Sequence, residues 1–214
     1  MIVLEKEGMT MTNKKELFLK WTKNLFFVQL VLLICAVLSA IPMIGTVFQW
    51  ISSILSLIIV YVLYQLAPVS ERYKKATIFT GISVVAGFLT KTDNFALLGL
   101  VISICSLVGL YQEYCGHSDM LDGIDNTLAK KWHNLFNWQI FGGIVLGVLA
   151  APIVAVLAAL LLLDVNILTV LVLFLVTGFD TILRLVYLSY LKRTREQYEA
   201  FPENMDGGQS VDYI

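Results

Sequence analysis

Asp180 and Arg184 stand four residues apart in an otherwise apolar stretch of sequence. On a helix that spacing puts a carboxylate and a guanidinium on one face, close enough to pair. In hydrocarbon each charge costs at least about 2.5–3.5 kcal/mol, and ionisable residues kept there mark ion, proton or substrate sites. Arg184 lies roughly 10 Å from the nearer end of its stretch at about 1.5 Å per residue, within reach of the interface by snorkelling. The pair is thus either an anchor neutralised in place or one wall of a binding site. Gln29 and Gln139 lie at matching depth, one turn inside the start of two other apolar stretches. Such amides either hydrogen-bond between helices or join the charged pair around a cavity. Asp180, Arg184, Gln29 and Gln139 are the candidate ligand-binding residues.

Other chemistry-bearing residues gather between Cys115 and Asn137. Cys115, His117, Asp119 and His133 offer sulfur, nitrogen and oxygen donors, but their spacing fits no common zinc pattern and lacks a second half-site. Asp119-x-x-Asp122-Gly123 is similar to the opening of the CDP-alcohol phosphotransferase signature, a family that also has six spans. Where that signature continues with Ala-Arg, this chain has Asn126 and Thr127, and no further aspartate follows until Asp164. The similarity covers five residues. It implies, at most, a lipid-modifying enzyme acting through the acidic loop. No Glu-Glu pair, Gly-x-Ser-x-Gly or His-Glu-x-x-His is present. The chain therefore reads as a non-enzyme before an enzyme, with no catalytic residue, metal or cofactor expected.

The surroundings of these residues are set by composition. The chain has 214 residues, of which 58% are hydrophobic and 14% charged, with a mean hydropathy of +0.79. Soluble domains carry about 25% charged residues. Six apolar stretches account for the excess: Leu25–Ile41, Val47–Ala67, Ala76–Thr90, Phe95–Gln112, Trp138–Leu163 and Val165–Leu191. Most approach the roughly 20 residues that cross about 30 Å of hydrocarbon. Of 15 basic and 16 acidic residues, only Asp180 and Arg184 fall inside them. The expected fold is all-α: six transmembrane helices in three antiparallel hairpins, joined by short connections at Pro42–Thr46, Lys91–Asn94 and Asp164. The third stretch is short and holds Gly81, Ser83 and Gly87, as a centrally packed helix would.

Basic residues are sorted by side. Lys6, Lys14, Lys15, Lys20 and Lys23 precede the first stretch. Arg72, Lys74 and Lys75 follow the second, Lys130 and Lys131 precede the fifth, and Lys192, Arg193 and Arg195 follow the sixth. With six spans all thirteen share one side, and the other holds Lys91 alone. The positive-inside rule places that side, and both termini, in the cytoplasm. A plasma (inner) membrane is expected, and a retained first helix rather than a cleaved signal. Residues 1–24 then form a cytoplasmic segment, with Leu17, Phe18 and Trp21 among lysines as an interfacial amphipathic helix. Leu121, Ile124 and Leu128 predict a second such helix in the 115–137 loop. Residues 25–191 form the membrane domain, and 192–214 a cytoplasmic tail whose Pro, Gly and acidic composition predicts disorder. The cysteines, Cys35, Cys105 and Cys115, form no CxxC pair and no disulfide framework.

An internal repeat runs through the chain. At an offset of 110, Asn24–Pro42 matches Asn134–Pro152 at Asn24/Asn134, Leu25/Leu135, Phe26/Phe136, Gln29/Gln139, Ile34/Ile144, Ala40/Ala150 and Pro42/Pro152. The stretches that follow both end in Tyr-x-x-Tyr, as Tyr61/Tyr64 and Tyr187/Tyr190, and the fourth ends in Tyr111/Tyr114. Both hairpins start on the same side, so the repeat is parallel. The six tyrosines read as an aromatic belt. Gly143-x-x-x-Gly147 reads as helix packing, and so does Ala36-x-x-x-Ala40, which could also dock a partner.

These features favour a small transport or solute-binding protein with a site near the cytoplasmic leaflet, alone or as a subunit of a larger transporter. Size and topology suit the substrate-binding subunits of energy-coupling-factor vitamin transporters. An oligomeric interaction or pore-forming protein is the alternative. The expected partners are the lipid bilayer, a small-molecule ligand, and a partner subunit or second copy. With a net charge of −1, nucleic acid is not among them.

Overall fold

The computed structural model describes residues 11–39, 44–89, 96–161 and 165–201, with side chains for all of these except 11, 96–97 and 144–176. The connection at Lys91–Asn94, Pro42 and Met43 of the first connection, Asp164 and the tail beyond Phe201 lie outside the described residues. So do the side chains of Ile144, Gly147, Ala150 and Pro152.

The chain is all-helical. Its elements are α1 (Met11–Leu38), α2 (Gly45–Leu66), α3 (Glu71–Leu89), α4 (Ala96–Asp119), α5 (Asn126–Leu161) and α6 (Val165–Ala200). Among the described residues three segments are long and apolar enough to cross a membrane: Thr12–Leu38, Gly45–Leu66 and Leu98–Asp119. Each helix packs on its neighbours in the chain, and α1 closes on α6. The result is a ring of six helices in sequence order.

Local chemistry explains the tight corners on one end of the ring. Ser70 accepts the Arg72 N–H at the start of α3 at 3.2 Å, and Asp125 accepts the Leu128 N–H at the start of α5 at 2.9 Å. Both are side-chain N-caps. Between α4 and α5 the chain turns through Gly123, whose φ of 77° falls in the left-handed region open to glycine. The Asn126 side chain accepts the Gly123 N–H.

This compact turn corrects the 115–137 reading. Residues 115–119 are the last turn of α4 and 126–137 the first turns of α5, leaving only 120–125 between them. Leu121 and Leu128 are buried in the core, not laid on a lipid surface. Asn13–Asn24 likewise continues into α1 without a break, and its Phe18 and Thr22 are buried. The apolar residues seen there in sequence face other helices.

Every large side chain that is fully buried among the described residues sits toward the end of the ring where α1, α3 and α5 begin. Trp132, Tyr73, Phe18, Leu63, Leu121 and Leu191 are examples. Outward faces are apolar at helical spacing: Phe27, Val31 and Ile34 on α1, Ile78, Ile82, Val85 and Leu89 on α3, Leu100, Ile104 and Leu107 on α4. A stripe of that width facing outward is what lipid solvates.

The expected aromatic belt divides. Tyr61 and Tyr64 are exposed, as a belt requires, but Tyr114 and Tyr187 are buried. Trp21 meets Tyr61 edge-on, with ring centroids 5.6 Å apart. Trp132 meets Tyr187 in the same way at 5.3 Å.

Candidate functional site

A cavity of about 280 Å³ opens inside the ring. α1 contributes Gln29, α2 Ser56, α3 Thr80 and Ser83, α4 Ser106 and Glu113, and α6 Arg184. Apolar residues, Leu32, Ile59, Val84 and Leu110, fill the rest of the wall. Polar groups from five helices thus converge on one space within helices that are otherwise apolar outward. Ser83 and Ser106 hydrogen-bond across the α3–α4 contact, and Ser56 returns its hydroxyl to the Ser52 carbonyl. Their oxygens keep acceptor capacity.

The structure brings together three of the four candidate residues. Gln29 and Arg184 both line the cavity. Asp180 binds the Arg184 Nε at 2.7 Å, and both side chains are about half-exposed, at 45% and 40%. Gln139 is absent from the lining. Its side-chain oxygen accepts the Tyr114 hydroxyl at 2.9 Å, so it ties α5 to α4. The two glutamines paired by the sequence alignment therefore have different surroundings.

Glu113 is the residue that sequence reasoning missed. It is 4% exposed and lines the cavity. Tyr187 donates its hydroxyl to the Glu113 Oε1. No lysine or arginine among the described residues is ion-paired with it. The imidazole one turn on stands close by, with His117 Nε2 at 4.0 Å from Oε1.

His117 is itself enclosed. It is fully buried, stacked on Trp132 with centroids 4.6 Å apart. Its Nδ1 meets the Tyr73 hydroxyl at 2.8 Å. Burial pushes the Tyr73 phenol well above its ordinary range, with the Glu113 charge adding to the effect. The phenol therefore stays protonated, and its hydroxyl shares one hydrogen bond with Nδ1, leaving Nε2 as the ring's other polar atom. That Nε2 is buried without a hydrogen-bond partner and faces the Glu113 carboxyl. Trp132 in turn donates its indole N–H to Thr194 at 3.0 Å.

The acidic loop is occupied with turn chemistry. Asp119 pairs with Arg72 at 3.4 Å, and Asp125 caps α5. Cys115 and His117 are buried, while His133 is exposed. Among the described residues no cluster of three potential metal ligands forms.

Compared with known proteins, the chain matches no family model, no curated protein and no solved structure. The site is read from its own geometry.

Proposed function

We propose that the chain is a six-span membrane transport or solute-binding protein whose solute occupies the cavity lined by Gln29, Glu113 and Arg184. The cavity carries this reading. Its volume of about 280 Å³ meets the lower end of small-molecule sites, which run to about 300–1,000 Å³. Its walls pair apolar surface with convergent polar groups, the composition that orients a ligand.

Six spans are supported by the closed ring and by the outward apolar stripe on α3, which resembles those on α1 and α4. The basic residues then share the end where the core lies, and that end is cytoplasmic. The parallel repeat is supported by the paired Trp–Tyr contacts, Trp21 on Tyr61 and Trp132 on Tyr187. The enzyme reading loses support because Asp119 and Asp125 already have structural partners.

Native mass spectrometry of the full chain in mild detergent tests the proposal, since it reports bound solute and stoichiometry together. A polar solute that is lost in Arg184→Gln and Gln29→Leu, with both variants still folded, supports the cavity site. A solute retained in both variants removes it. A symmetric oligomer carrying only lipid would favour the interaction reading instead.

A further inference from the structure

We propose that Glu113 is an exchange site that holds either a proton or the positive group of a cationic solute, one at a time. This rests on the transport reading above and names the class of its substrate.

Charge accounting within the cavity selects cations. Arg184 and Asp180 are bonded to each other at 2.7 Å and together contribute no net charge. Gln29, Ser56, Thr80, Ser83 and Ser106 are neutral. Among the described residues of the lining, the one remaining ionisable group is Glu113. A carboxylate there must be balanced by something, because an unpaired charge in a low-dielectric interior is strongly disfavoured. A proton balances it, and so does a bound cation.

The groups facing Glu113 leave that role open. On α4 they are His117 and Tyr114, and on α3 Tyr73, which reaches Glu113 through His117. α6 presents Tyr187 and Arg184, the latter held by Asp180. α1 and α2 present Gln29 and Ser56, and α5 presents Trp132 against His117, none of which titrates. Tyr187 donates to the carboxyl without adding charge. His117 Nε2 stands about 1 Å beyond hydrogen-bond length.

At that spacing His117 makes no hydrogen bond that would hold a charge on the carboxylate. The proton of a neutral Glu113 can leave through the cavity that its carboxyl lines. The incoming cation takes the place of the departed proton, so charge balances at every stage. The hydroxyl oxygens of the wall can turn their negative ends toward the cation.

The probe is tetraethylammonium, whose charge does not vary with pH. Calorimetry of the full chain in lipid nanodiscs, repeated in buffers of different ionisation enthalpy, counts protons released per cation bound. The expected result is release approaching about one proton per cation, with affinity falling about tenfold per pH unit on the acid side. Glu113→Gln abolishes binding and release, while Glu113→Asp restores them in part. Undiminished binding in Glu113→Gln, or no binding at any pH, overturns the proposal. If Glu113→Gln fails to fold, the proton count on the unaltered chain decides, and a count of zero overturns it. The cavity reading fails separately, through a solute that Arg184→Gln and Gln29→Leu both retain.

Discussion

Trp132 and Thr194 lie 62 residues apart, yet the indole N–H of one is donated to the hydroxyl of the other at 3.0 Å. Both side chains are fully buried. The bond fastens the beginning of α5 to the last turns of α6. It also fixes the indole plane on which His117 stacks.

Replacing Thr194 by valine keeps the shape and removes the acceptor. The stranded indole N–H costs about 1–3 kcal/mol, to be read as a lowered unfolding midpoint in detergent. Adding Trp132→Phe removes the orphaned donor, so the double variant loses less than the sum of the singles. Strict additivity would show that the bond contributes nothing.

Gly116 permits the close approach of Tyr73. A Cβ at this position would stand 2.8 Å from the Tyr73 ring. Gly116→Ala therefore displaces the phenol that holds His117 Nδ1 and costs about 1–3 kcal/mol through overpacking. Thermal unfolding checks the cost. Gly143→Ala, which meets open space, is the matched control and changes stability little.

Asp180 is expected to matter more alone than together with its partner. Asp180→Asn strands the Arg184 guanidinium, whereas Asp180→Asn with Arg184→Gln removes both charges. Expression level and thermal stability in membranes should rank the single variant below the double. Equal losses would mean that Arg184 finds water without Asp180.

The side of the membrane is open to a direct check. A reporter active only outside the cytoplasm, fused after Ala200, should give no signal, because six spans would put thirteen basic residues on that side against one on the other. An active fusion would mean an odd number of crossings.

Much of this arrangement was legible in sequence because hydropathy reports what faces lipid. The six apolar stretches correspond to the six helices, and the Asp180–Arg184 pair forms as helical spacing predicts. Glu113 escaped because the fourth stretch ends at Gln112 by hydropathy, although α4 continues to Asp119. Residues 113–118 look like a polar loop on paper, yet all six are buried. Their partners come from α3, α5 and α6, and no one-dimensional period records such contacts. Gln139 was misplaced for the same reason. Its match to Gln29 is a likeness of sequence, while its surroundings differ: Gln139 accepts the Tyr114 hydroxyl and Gln29 lines the cavity.

The buried side chains that gather at one end of the ring give the bundle a fulcrum. Phe18, Tyr73, Trp132 and Leu191 clamp α1, α3, α5 and α6 there, and Tyr198 edges onto Phe18 across the α1–α6 closure. Helices held at one end act as levers. A helix of about 22 residues is roughly 33 Å long, so a tilt of about 5° at the clamp sweeps its far end through roughly 3 Å. That is the width of a water molecule.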